Sequence, residues 1–268
     1  MARLVATLLM ALALIAAALL PARAGSSEAG APVLPAAQVA AFADQVQHDL
    51  AARGARVAIV ARTGRDPSQL PEGIRYTHVA FWVYSAITTA DGGEGRGYRV
   101  YNLYQRADEL TVSDLVQDSP ADFLAGAHRL DVGVIVPDPR LQERLLRTIA
   151  GPAYAGLHNP RYAVLANPSD ARFQNCTEHT LHVLMAALYD TDDPARIRAN
   201  VAAHFTPQPV RLGGAKRLLA PLASGALTTA DHRGEVATAT FGSIARFMQA
   251  HDLEDGVWRL TPQGAARF

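Results

Sequence analysis

The segment Cys176–Tyr189 constrains this chain more than any other, because it reads as a helix carrying apolar side chains on two faces. Leu181, Leu184, Met185 and Leu188 form one stripe at helical spacing, while Val183 and Ala187 lie on the side of the cylinder that Cys176 occupies. A helix that is apolar on more than one face has to be covered on more than one side, so it belongs at the centre of a fold. Asn175 stands where an N-cap is expected, and Glu178, three residues later, completes the pattern of a reciprocal capping box. The helix therefore begins at the only cysteine in the chain.

With 268 residues, 49% of them hydrophobic, the chain has enough material to bury one sizeable core as a single domain. Its 25 basic and 25 acidic side chains balance, which argues against nucleic acid or any other polyanion as a partner. Residues 1–24 stand apart: Arg3, an apolar and charge-free run from Leu4 to Leu20, then Pro21 and Ala22–Arg23–Ala24. This is the pattern of an export signal with a small-x-small cleavage site after Ala24, so a periplasmic or secreted protein is expected. The alternative is an uncleaved anchor, since the run is at the short edge of what spans a bilayer. Cleavage leaves 23 basic against 25 acidic side chains and no transmembrane segment. No cysteine follows the run to take a lipid. Residues 25–35, small and proline-bearing, read as a flexible lead, and 36–268 as the folded domain.

Along that domain the pattern predicts a helix over Ala36–Arg53 (Val39, Phe42, Val46, Leu50) ended by Gly54, and a strand over Arg56–Arg62. Strands are expected at Tyr76–Ala86 and Tyr98–Gln105, joined by a glycine-rich link at Asp91–Gly97, and at Asp131–Val136. Asp108–Leu124 carries mixed signals. Leu141–Ile149, Pro194–Phe205 and Phe241–His251 read as helices, Gly151–Ser169 as irregular, and Val257–Leu260 as a last short apolar run. The fold class expected is α+β: a small antiparallel sheet packed on the cysteine-bearing helix, with the N-terminal helix and the C-terminal segment as additions around it. Phe81, Trp82, Tyr84, Tyr98, Tyr101 and Tyr104 are expected to pack across strands.

A lone thiol in an exported chain has no internal disulfide partner and is a liability in an oxidising compartment. It is either buried and inert or kept for its reactivity. At the first turn of a helix it faces unpaired N–H groups and the positive end of the dipole, which favour thiolate and can hold an oxyanion. Acyl transfer of that kind also needs a base, usually histidine, and a third polar group to orient it. Among nine histidines, His78 stands out at the head of an apolar strand, where an unpartnered imidazole is costly. Cys176, His179 and His182, spaced three apart, offer zinc as a competing chemistry, but no further cluster supplies a fourth ligand, so no metal or other cofactor is expected. His179 and His182 are then local hydrogen-bonding groups, and Asp66, Asp231 and His232 are expected in solvated turns.

Thr77–His78–Val79–Ala80–Phe81, followed about a hundred residues later by Asn175–Cys176–Thr177–Glu178–His179, resembles the circularly permuted NlpC-type branch of the papain-like superfamily, which includes the lecithin:retinol acyltransferase relatives. Histidine precedes cysteine here, as in the permuted group. More closely, Leu157–His158–Asn159–Pro160, Ala166–Asn167–Pro168 and Phe173–Gln174–Asn175–Cys176–Thr177–Glu178–His179–Thr180 resemble a family of uncharacterised exported bacterial proteins assigned to that superfamily. The resemblance implies a papain-like fold with Cys176 as nucleophile, His78 as base and a third residue on the following strand, Asn102 or in reserve Gln105. These two project to opposite faces, so only one can serve. Gln174 or Asn175 would add a donor to the oxyanion site, although capping the helix is the plainer role for Asn175. Ala80 departs from the glycine common at that position. The expected activity is an exported thiol hydrolase or acyltransferase on an amide, peptide or ester bond, its partner a small-molecule, peptide or lipid-ester substrate in the envelope, with cell-wall peptide the natural class. The alternative is a non-catalytic envelope binding or assembly protein on the same scaffold.

Overall fold

The structure is a computed structural model that describes residues 32–88, 92–211 and 224–268. The expected export signal, and the lead as far as residue 31, lie outside the described residues. No helix among the described residues is long and apolar enough to cross a membrane.

The fold is α+β, built on a sheet of seven strands whose neighbours all pair antiparallel. In chain order these are β1 (Val57–Arg62), β2 (His78–Thr88), β3 (Glu94–Gln105), β4 (Ser113–Asp118), β5 (Val132–Pro137), β8 (Glu254–Thr261) and β9 (Gly264–Arg267). Their spatial order is β4-β3-β2-β1-β5-β8-β9. β6 (Gln208–Pro209) and β7 (Ala237–Thr238) form a separate short pair. Seven α-helices are present among the described residues: α1 (Ala36–Ala52), α2 (Pro120–Ala125), α3 (Pro139–Ala150), α4 (Pro152–Gly156), α5 (Cys176–Tyr189), α6 (Pro194–His204) and α7 (Phe241–Ala250).

The sheet divides the molecule into two cores. Val57, Ile59, Val79, Phe81 and Ile135 face α3, α5 and α7, whereas Ala58, Val60, Ala80, Trp82 and Val134 face α1 and α2. Every residue of β1 is buried, as expected for a strand at the middle of a sheet covered on both sides. Gly133 on β5 is required by this packing: a Cβ there would come within 2.5 Å of the Phe241 ring and 2.6 Å of the Tyr76 ring. α5 is buried along nearly its whole length, from Cys176 to Ala187, as its doubly apolar sequence demands.

The expectation of a small sheet with peripheral additions is corrected on three counts. α1 presents Val39, Phe42, Val46 and Leu50 and covers one face of the sheet, and the C-terminus forms a β-hairpin that extends it. The glycine-rich link is largely strand, because the β2–β3 ladder continues out to the pair Thr88–Glu94; backbone pairing needs no apolar side chains at the solvated end of a hairpin. Asp108–Leu124 contains β4, half-exposed at the sheet edge, and α2, which starts from a capping box of Ser119 and Asp122.

Candidate active site

α5 begins at Cys176 because Asn175 caps it: Asn175 Oδ1 accepts from the Glu178 N–H at 2.9 Å. The amide's other end donates to the Val164 carbonyl at 3.1 Å and to Thr238 Oγ1 at 3.3 Å, tying the helix start to two loops. The box is only half formed, since both carboxyl oxygens of Glu178 are buried without a hydrogen-bond partner instead of returning to the cap. Cys176 is 3% exposed. Its sulfur lies 3.9 Å from the carbonyl oxygen of Thr77 and 3.8 Å from Thr177 Oγ1.

Thr77 leads directly into His78, the first residue of β2. His78 Nε2 stands 3.0 Å from Asn102 Oδ1. Asn102 in turn donates through Nδ2 to Asp118 Oδ2 at 2.8 Å, which leaves Oδ1 as acceptor and makes Nε2 the protonated ring nitrogen. The other nitrogen, Nδ1, is buried and has no hydrogen-bond partner. The ring is stacked on Tyr104, 4.9 Å between centroids, and tilted against Phe123. Tyr104 donates its hydroxyl to the same Asp118 oxygen at 2.7 Å. Burial, and then the Arg62 guanidinium, hold His78 well below the usual imidazole range, only partly opposed by the Asn102 bond, so the ring is a neutral base.

Asn102, not Gln105, is thus the residue bonded to His78. Gln105 points to the other face and donates to the Leu110 carbonyl. The alternation of β2 also sends the His78 ring, with Ala80 and Trp82, to the face covered by α1 and α2, whereas the body of α5 covers the opposite face. Thiol and imidazole therefore approach each other only round the end of β2, at Thr77, and no hydrogen bond joins Cys176 to Nδ1.

A cavity of about 210 Å³ reaches the sulfur. Cys176, Asn175 and Thr177 form its helix-side wall, and Leu70, Ile74 and Val164 contribute to a largely apolar lining that also includes Arg65. His78 is not among its walls.

Two residues of this arrangement escaped the sequence reading. Arg62 ends β1 in direct register with His78, is buried, and donates Nη1 to the Gly126 carbonyl. Burial lowers its basicity, and attraction to Tyr104, to the ionised form of Cys176 and to Asp118 works against that loss. Asp118 closes β4 and gathers Asn102 and Tyr104. The available signal was the same in both: a single charged residue terminating a strand.

Other predicted positions stand elsewhere. Both polar ends of Gln174 are engaged away from the sulfur, Nε2 with the Leu157 carbonyl at 3.0 Å and Oε1 with the Asn159 N–H at 2.9 Å, which removes it as an oxyanion donor. His179 donates to the Tyr154 carbonyl and His182 to the Pro168 carbonyl, so they do not converge with Cys176. Burial depresses them to about 3 and about 4 respectively. Among the described residues no group of three or more His, Cys, Asp or Glu is arranged to hold a metal ion. Asp231 and His232 are buried, not solvated: Asp231 accepts the Asn167 N–H at 2.7 Å and His232 donates to the Leu165 carbonyl at 2.7 Å, pinning the segment that precedes α5.

Fold and site together define an α+β protein with a buried thiol at a helix start, beside the end of a strand that carries an oriented histidine. The chain belongs to the bacterial family described as "uncharacterized protein conserved in bacteria" (DUF2145), which it matches over residues 49–248. That span contains Cys176, His78, Asn102, Arg62 and Asp118. No curated protein and no solved structure matches the chain.

Proposed function

We propose that the protein is an exported thiol hydrolase or acyltransferase that cleaves an amide, peptide or ester bond through an acyl-enzyme. The observation that carries this reading is the state of His78: Nε2 is committed to Asn102, and the bare nitrogen belongs to the residue following the carbonyl that Cys176 touches. Cys176 is the nucleophile, His78 the base, Asn102 its orienting partner and Asp118 the support of Asn102. The dyad requires Cys176 Sγ and His78 Nδ1 to come within hydrogen-bond reach round the end of β2, and catalytic bonds are often long before substrate binds.

In the first step Nδ1 takes the thiol proton while sulfur bonds to the substrate carbonyl carbon, whose oxygen becomes an oxyanion facing the free N–H groups of Cys176 and Thr177. Collapse expels the amine or alcohol, which takes the proton from Nδ1. Water or an acceptor hydroxyl or amine, deprotonated by Nδ1, then attacks the thioester and releases Cys176. The likeness of the two motifs to the permuted NlpC-type enzymes supports the same roles and a papain-like relationship, and export makes cell-wall peptide the substrate class to test first.

The competing reading is a non-catalytic envelope binding protein, favoured by the missing Cys176–His78 hydrogen bond and by the ring's position on the far face of β2. Mass spectrometry after exposure to a p-nitrophenyl ester separates the two. The enzyme reading expects one acyl adduct on Cys176, slowed by Asn102→Ala and absent in Cys176→Ser; no adduct, or one scattered over lysines, supports the binding protein.

A further inference from the structure

A second cavity, of about 290 Å³, opens on the flank of α5 away from the thiol, and it is built from sequence motifs that the proposed chemistry leaves unused. His158, Asn159 and Pro160 of one motif, Gln174 and Glu178 of the other, and Arg198 of α6 all line it. Most of its polar groups are spent on one another or on the main chain. Gln174 holds Leu157 and Asn159, His158 faces Ser113 Oγ at 3.1 Å, His182 donates to Pro168, and Asp170 is bound by Arg172 through both oxygens.

The exposed Arg161 guanidinium, also in the lining, lies over the Phe173 ring 5.1 Å from its centroid, which leaves Glu178 and Arg198 as the two groups that are not spent. Glu178 is 1% exposed, and neither carboxyl oxygen has a hydrogen-bond partner; His182 Nε2 stands 3.7 Å from Oε1. A buried carboxyl without partners is costly, and a helix has many cheaper residues for that position. Arg198 is half-buried in the same wall, close enough for its charge to act on Glu178, and makes no hydrogen bond or ion pair with a described residue. An anion alone would meet Glu178 unpaired, and a cation alone would meet Arg198. A metal ion is disfavoured because no third donor converges there.

We propose that this cavity binds a small zwitterion of the amino-acid type, its ammonium on Glu178 and its carboxylate on Arg198. The volume is at the lower end of the range for small-molecule sites, roughly 300 Å³ upward, which suits a free amino acid and not a long peptide. Without ligand Glu178 keeps a proton, because burial raises it, and the ligand's ammonium displaces that proton, so that each charged group of the ligand meets a partner the fold leaves out. Because the cavity does not share a wall with the thiol, the proposal does not depend on catalysis by Cys176.

The test is titration calorimetry of the mature protein against free L- and D-amino acids, with methylammonium and acetate as probes of each half. The expectation is saturable binding of at least one amino acid, retained by Cys176→Ser and weakened about tenfold or more by Glu178→Gln and by Arg198→Met, as for loss of a charge-assisted bond. Glu178→Gln keeps the shape of the side chain, and circular dichroism checks that both variants are folded. Absence of binding by every amino acid, equal binding of methylammonium or acetate alone, or binding that survives both substitutions overturns the proposal.

Discussion

Acidification from pH 7 to pH 5 should destabilise this protein through its buried histidines, and the size follows from their environments. His78, His179 and His182 are each at most 4% exposed and held below the ordinary value of 6.5 chiefly by burial. In the unfolded chain they protonate as pH falls through 6.5; in the folded protein they stay neutral. A depressed histidine thus contributes stability above its unfolded pKa that is lost as pH falls towards the folded one. At pH 5 His179 and His182 each cost about 2 kcal/mol, roughly 4 for the pair, and His78 adds to the same side. His158, half-buried and also lowered by burial, adds to the same side.

Glu178 acts in the opposite sense. Burial, and then Asp231, raise it well above its ordinary 4.5, so the folded carboxyl keeps a proton that the unfolded one has lost. Its contribution is fully present below pH 4.5 and is lost as pH rises, so acidification restores about 1.4 kcal/mol per pH unit while the difference lasts. Glu178 therefore offsets part of the loss between pH 7 and pH 5, and Glu178→Gln should widen that loss to about 4 kcal/mol or more. Urea unfolding followed by fluorescence at both pH values measures this. Equal stability at the two pH values, or a Glu178→Gln variant with an unchanged pH dependence, would refute the buried-neutral assignment.

Three further expectations concern single positions. Asn175→Ala removes the α5 cap and two further hydrogen bonds, and should cost about 2 kcal/mol in chemical denaturation while exposing the thiol to solvent. Gly133→Ala forces Phe241 and Tyr76 apart and should cost about 1–3 kcal/mol, with altered near-ultraviolet circular dichroism. Arg62→Met takes the cation from beside His78 and Cys176, and should slow acylation of Cys176 by p-nitrophenyl ester several-fold, with Tyr104 and Asp118 still bonded to each other.

The helices were legible because helical periodicity records burial: α1, α3, α5, α6 and α7 lie within a residue or two of their expected spans. β4 and the solvated part of the β2–β3 hairpin were not, because their order comes from backbone pairing with a neighbour and leaves little trace in side-chain pattern. The Cys176, His78 and Asn102 positions could be chosen from residue type and motif, and parity along β3 decided between Asn102 and Gln105 only once the register was known. Arg62 and Asp118 were hidden because a charged residue at a strand end is ordinarily solvated. Asp231, His232 and Glu178 misled for a related reason: polarity in sequence says nothing of which loops fold over a side chain.

The central claim is that His78 activates Cys176 round the end of β2, and alkylation of the protein by iodoacetamide at pH 7 tests it most directly. Wild-type protein should lose its single thiol at least about tenfold faster than His78→Ala, the ordinary contribution of a positioned base being about a hundredfold or more, with Asn102→Ala in between. Equal rates for wild type and His78→Ala, with both proteins folded, would contradict it and leave the cysteine as a core residue at a helix start.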